Sequence, residues 1–311
     1  NTILGLNYEK VYNDLVSPPA GIVYLVVTDF VSSEKAHELM ELKNRLAEEY
    51  QQPGDPSLAG LHFKAHLMRS YPEKSLASNV LGFVTLENRG YFGVEEKYNN
   101  LLAGVPLTVW VPEDPNRAAE LPATPRGADL ILTIDREIQA MVEEQLRESL
   151  VDTGAEAGTI VVMDPRTGEI LAMASTPQMD LNDFSQYNEL YKNASEFNRA
   201  ISIQYEPGSV FKVLTLAAAL DSGAVSSNFS YLDVGFYEIG GAYVYNWDRG
   251  AWGPQDLLGC MRHSLNICMT RLADQMGPDT FYTYMHRFGV GHPTGIDLAN
   301  EAKGRLKVPG D

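Results

Sequence analysis

The 311-residue chain is 44% apolar and carries a formal net charge of −17. That length suggests two domains, and that charge argues against a nucleic-acid or anionic-membrane surface. Cys260 and Cys268 are the only cysteines, which excludes a multi-bridge disulfide framework and leaves the redox compartment open. The longest apolar run, Ile22 to Val27, is far short of the about 20 residues that span a bilayer. No signal peptide is present, and the chain starts at Asn1 without methionine, as expected of a piece of a longer protein whose anchor would lie ahead of it.

Ile22 to Phe30 reads as a strand, rich in valine and aromatic residues. Ser33 to Tyr50 reads as an amphipathic helix with Ala36, Leu39, Met40, Leu42, Leu46 and Ala47 on its apolar side. Pro53-Gly54-Asp55-Pro56 ends it, and Leu61 to Met68 reads as another strand. His62 and His66 are four apart, but on a strand and without a glutamate after His62 they make no zinc pair. Asn79 to Gly104 reads as structured connecting elements. Pro106 to Arg126, with five prolines, marks a boundary between domains 1–125 and 126–311.

The second domain opens with an expected strand, Asp129 to Thr133. Asp135 then caps a helix with Ile138, Met141, Val142, Leu146 and Leu150 on one side. Thr159–Met163 and Glu169–Ala174 flank Asp164-Pro165-Arg166-Thr167-Gly168 and read as a hairpin, so the fold class is α+β. Pro177 to Ala200 reads as irregular. After Asp221-Ser222-Gly223 the chain reads as an aromatic loop through Trp252. Helices are expected at 254–263, 267–276 and 279–288, and a turn at Gly289–Gly295.

The chemistry centres on Tyr205-Glu206-Pro207-Gly208-Ser209-Val210-Phe211-Lys212. Pro207-Gly208 breaks the chain, and the apolar run Val213–Leu220 reads as a buried helix. Ser209 sits near its first turn, and Lys212, three residues on, shares its face. A hydroxyl beside an amine at a helix start suits an activated nucleophile. Spacing alone decides little: Ser32-Ser33-Glu34-Lys35 repeats it at the start of a charged helix, where serine is an N-cap. A lysine base is expected to need burial and neighbouring positive charge to lower its pKa, and backbone N–H groups at the helix start, beginning with Ser209, suit half an oxyanion site. Proton transfer needs a second hydroxyl, which Ser264-Leu265-Asn266 offers. Ser226-Ser227-Asn228 has the same pattern but follows Ser209 too closely and lies in a loop. His263 suits a surface position better than a serine triad, and Cys268 a small core residue.

Together with Ala157–Ser175, Asn198-Arg199-Ala200, Thr294-Gly295-Ile296-Asp297-Leu298 and Glu301-Ala302-Lys303-Gly304, these motifs resemble the class B penicillin-binding proteins, the monofunctional D,D-transpeptidases of bacterial cell-wall synthesis. Leu81–Val84, Glu87–Gly90 and Gly93–Glu95 look like that family's elongated N-terminal α+β pedestal. The resemblance implies a penicillin-binding, serine β-lactamase-like transpeptidase domain at 126–311 and a pedestal for interactions at 1–125. It implies that Ser209 is the nucleophile, Lys212 the acylation base, Ser264 a proton relay and Asn266 a substrate-binding residue that helps place Lys212. The implied partners are stem peptides ending in D-alanyl-D-alanine, β-lactams, and a membrane glycosyltransferase with division or elongation proteins. No cofactor or metal is implied. The expected place is the extracytoplasmic face of the bacterial membrane.

One family motif, lysine-threonine-glycine on the sheet's edge strand, does not follow Ser264. Arg166-Thr167-Gly168 precedes the nucleophile and is a turn. Residues 1–311 alone are therefore expected to be poorly active. The alternatives are a β-lactam sensor domain, which would hold its acyl adduct for signalling, and a catalytically degenerate cell-wall scaffold.

Overall fold

The computed structural model describes residues 3–18, 25–29, 31–50, 52, 57–63, 69–105, 126–192 and 197–307. Two compact units emerge: Asn1–Arg69 with Gly104–Gly127, and Ser70–Ala103 with Ala128–Asp311.

In the first unit, Asn7 caps a helix at Tyr8–Val16 by accepting from Lys10 N, an element not anticipated from its pattern. The expected amphipathic helix runs Ser33–Glu49. Ser32 Oγ accepts from Lys35 N, so this serine–lysine spacing is a helix cap. The expected strand 22–30 is described only at 25–29, which form no ladder, and 61–68 only at 61–63. Pro53–Pro56, His66 and nearly all of the proline-dense stretch 106–126 lie outside the described residues.

In the second unit, residues 70–103 cross the division expected at 125/126. Their short elements, Ser78–Leu81, Phe83–Val84, Gly90–Tyr91, Gly93–Lys97 and Asn99–Leu102, cannot bury their apolar sides among themselves. They bury them against the later chain. Tyr71, Phe83 and Phe92 pack with Met179, Leu181, Tyr191 and Phe197, the rings of Phe92 and Phe197 stacking at 4.3 Å. Val80 and Val94 pack with Met173 and Leu298. Buried Asn79 donates to the carbonyls of Pro177 and Phe197.

Asp135 caps the helix Arg136–Thr153, its Oδ1 accepting from Glu137 N and Ile138 N at 2.9 and 3.0 Å. Met141, expected on the apolar side, is 61% exposed, whereas Gln139 is fully buried. The amide explains this. Gln139 Nε2 donates to Met173 O and its Oε1 accepts from Met173 N, satisfying a strand residue from the side. The hairpin forms as expected, with Thr159–Met163 antiparallel to Ile170–Ser175 and Val161 opposite Met173.

The expected strand Asp129–Thr133 is not one. It finds no ladder partner among the described residues, and Ile131 is 95% exposed. The stretch read as a loop to Trp252 instead holds strands. Phe236–Ile239 pairs with Ala242–Tyr245 across Gly240-Gly241, and Ser230–Asp233 pairs with Gly253–Asp256. The helix expected from Pro254 therefore starts later, at Leu257–Arg262, capped by Asp256. A long helix follows, Asn266–Arg287, broken at Gly277 (φ 71°) beside Pro278, which reproduces the two helices expected there. Ala218, Ala219, Cys260, Leu265, Cys268, Leu272 and Met285 form the core beneath these elements.

Candidate active site

Gly208 adopts φ 62°, a conformation open to glycine at little cost, and so turns the chain out of Pro207 into a 3-10 turn, Gly208–Phe211. Ser209 lies exposed in this turn. The α-helix begins at Lys212 and runs to Asp221, so the serine precedes the helix rather than forming its first turn. Residues i and i+3 of a 3-10 turn eclipse, and Lys212 N donates to Ser209 O. Serine and lysine therefore share a face more closely than α-helical spacing dictates. The helix is not buried all round: Thr215, Ala218 and Ala219 face the core, while Val213 is 58% exposed.

The Lys212 amine reaches across to the segment after Leu257–Arg262. It donates to Ser264 O at 2.6 Å, Ser264 Oγ at 3.0 Å and Asn266 Oδ1 at 2.7 Å. A charged ammonium would fill all three acceptors with its three protons. A neutral amine keeps two donors and can accept from the Ser264 hydroxyl instead, so that contact can carry a proton in either direction. Burial pushes the lysine pKa below its ordinary 10.5, raising the neutral fraction. Among the described residues, burial is the cause of this shift.

Ser264 itself sits at φ 52°, left-handed backbone that costs a non-glycine residue about 1 kcal/mol or more. The surroundings hold it there. Ser264 N donates to Met261 O, Leu265 N donates to Cys260 O, and the Leu265 side chain is fully buried. Cys260 and Cys268, both fully buried, are joined by a disulfide that brackets the Ser264–Asn266 segment, with Cα atoms 5.8 Å apart. Cys268 is thus a core residue as expected, but a bonded one. The pairing was missed because two cysteines in a chain of this length carry no framework to read.

The structure thus brings Lys212, Ser264 and Asn266 together, with Ser209 one turn away. It leaves the decoys apart: Ser226–Asn228 is a turn after the helix, and the His263 ring stacks on Trp252 at 4.4 Å. Gly208 and Phe211 line an open, mostly apolar groove with Val161, Met163, Ile203 and Tyr205. Among the described residues no group of three His, Cys, Asp or Glu side chains could hold a metal ion.

Residues 158–310 match the penicillin binding protein transpeptidase domain family. The chain is 32% identical over 314 residues to stage V sporulation protein D of Bacillus subtilis, spanning 98% of this chain and 46% of that protein. It is 32% identical over 251 residues to the peptidoglycan D,D-transpeptidase FtsI of Escherichia coli, spanning 79% and 42%. Penicillin binding protein 3 of Mycobacterium tuberculosis has a similar structure, with a TM-score of 0.66 at 29% identity over 77% of this chain and 51% of that one. The chain thus spans just under half the length of these two relatives. With this sequence likeness and this α+β fold, the chain belongs to the class B penicillin-binding proteins, and its residues 158–310 are a transpeptidase domain.

Proposed function

We propose that this chain carries the acylation site of a peptidoglycan D,D-transpeptidase, with Ser209 as nucleophile. The observation that supports it most is the partly buried Lys212 amine, one 3-10 turn after Ser209 and held by Ser264 and Asn266. Neutral Lys212 takes the Ser209 hydroxyl proton as Oγ attacks the carbonyl between the terminal D-alanines. The C–N bond breaks, and the proton passes through Ser264 to the departing D-alanine amine. Ser209 is left as an ester. A stem-peptide amine then attacks the ester carbonyl and gives its proton to Lys212, which returns it to Ser209. The Ser209 N–H, at the start of a turn where N–H groups lack local partners, supplies one oxyanion donor. Asn266 binds the substrate backbone and places Lys212.

β-Lactams are proposed to acylate the same serine. The M. tuberculosis relative has been solved with aztreonam and with ampicillin. The Cys260–Cys268 bond favours an oxidising compartment, which supports the extracytoplasmic face of the membrane. Among the described residues no helix is long and apolar enough to cross a membrane. Residues 1–125 are proposed as a pedestal that meets a membrane glycosyltransferase and division or elongation proteins. The test is acyl transfer: the intact natural protein should join a D-alanyl-D-alanine pentapeptide to an added D-amino acid with release of D-alanine. Acylation by penicillin without any peptide transfer would favour a sensor instead.

A further inference from the structure

The long helix Asn266–Arg287 starts without a cap of its own. Its N-cap residue is Leu265, which offers no side-chain acceptor, although the first N–H groups of a helix need partners. Those partners come from a separate part of the chain. Asn246 Oδ1 accepts from Ile267 N at 3.3 Å, the N–H that a Ser or Asp N-cap would normally serve. The preceding residue, Tyr245, accepts from Asn266 Nδ2 through its carbonyl at 3.0 Å. The following residue, Trp247, donates from Nε1 to His263 O at 3.2 Å. Three consecutive residues therefore grip both sides of the Ser264–Asn266 segment.

Asn246 is itself fixed. It is 3% exposed, and its Nδ2 donates to Asp233 Oδ2 at 2.9 Å and to Gly250 O at 3.2 Å. Asp233 is 1% exposed and lies at the end of the strand Ser230–Asp233. It accepts from Gly235 N at Oδ1 and from the Tyr231 hydroxyl at Oδ2. Every polar atom of the Asn246 amide is thus spoken for in a buried setting, where a misplaced or missing partner is costly. The network ends on Ile267 N, the residue after Asn266, and Asn266 is one of the two residues that hold the Lys212 amine.

We propose that Asn246 and Asp233 are positioning residues: through Ile267 N they set the start of the Asn266 helix, and through Asn266 they set the place of the Lys212 amine. Neither touches Lys212. Their effect on acylation rests on the proposed role of Lys212, but their effect on the position of the amine does not.

The test uses the intact natural protein and four variants, Asn246→Ala, Asn246→Asp, Asp233→Asn and the double Asp233→Asn/Asn246→Asp. The double variant exchanges donor and acceptor within the pair and keeps an acceptor for Ile267 N. Leu146→Ala, in the separate core beneath the hairpin, serves as a control for lost stability alone. Two readouts are taken: the maximal rate of Ser209 acylation by a fluorescent penicillin at saturation, and the NMR titration of the Lys212 amine, assigned with Lys212→Arg. The single variants should slow acylation roughly 10- to 100-fold, as small misplacements of reacting groups do. They should also displace the Lys212 titration, with partial recovery of both in the double variant. Leu146→Ala should leave the amine titration in place. An unmoved titration in Asn246→Ala, or one moved equally by Leu146→Ala, overturns the inference. If the unmodified protein takes no label at Ser209, the proposed function fails, and the titration alone decides the positioning role.

Discussion

Lys212→Ala is expected to slow acylation of Ser209 by penicillin roughly 10²- to 10⁴-fold, the range that a positioned general base supplies. The expectation follows from the place of the amine, which bonds Ser264 O, Ser264 Oγ and Asn266 Oδ1, and from burial, which lowers its pKa. Lys212→Arg separates charge from basicity. A guanidinium retains the positive charge but does not release its proton, so it should be as slow as alanine. The sign of the pH effect follows from the same desolvation. Only the neutral amine accepts a proton, so the wild-type rate should rise with pH through a midpoint below the ordinary 10.5, and this rise should vanish in both variants. Stopped-flow acylation between neutral and alkaline pH measures it. An Arg variant as fast as wild type would mean that the lysine acts only as a charge.

Removing the Cys260–Cys268 bond is the second large effect. The bond closes a short loop, with a sequence separation of 8, around a serine in left-handed backbone. Chain-entropy arguments give about 2–3 kcal/mol for a loop of that size. Cys260→Ala/Cys268→Ala avoids leaving hydroxyls in positions with no exposure. The double variant should unfold at lower temperature and acylate more slowly, because Ser264 and Asn266 lose a restraint on each side. Dithiothreitol should act on the wild type in the same direction and leave the double variant unchanged. Equal melting temperature and equal acylation in both forms would show that Met261, Cys260 and Leu265 backbone bonds hold the segment unaided.

How much of this was legible in the sequence varies with the range of the forces involved. Asp135 before an apolar period, and two β-prone runs around a Pro/Gly turn, are local signals, and both elements formed where expected. The nucleophile turn was legible from Pro207-Gly208, and Gly208 does adopt positive φ. The meeting of Lys212 with Ser264 and Asn266, more than fifty residues away, came from family resemblance and not from any local rule. The strands at 230–256 were missed because each is four residues long and lies within aromatic, glycine-bearing sequence. A signal was there: Gly240-Gly241 between Phe236–Ile239 and Ala242–Tyr245 is a two-residue hairpin turn, and both glycines have positive φ. Missing that hairpin concealed Tyr245, Asn246 and Trp247, whose grip on the Ser264–Asn266 segment depends on it. The opposite error, a strand at Asp129–Thr133, shows that strand-like composition needs a partner to pair with.

The boundary at 125/126 followed composition, whereas the compact units follow burial. Phe83 and Phe92 lie in short elements flanked by glycines, Gly82 and Gly93, and their rings pack against Phe197, over a hundred residues later. Such pairings are set by tertiary packing and leave no periodic trace.

Whether Ser209 is the acylated residue can be measured directly. The intact natural protein is treated with penicillin, digested and mapped by tandem mass spectrometry beside a Ser209→Ala variant. One penicilloyl adduct is expected, on the peptide containing Glu206-Pro207-Gly208-Ser209 and at Ser209 within it, and none in the variant. An adduct at Ser264 or at any other residue, or equal labelling of Ser209→Ala, would contradict it.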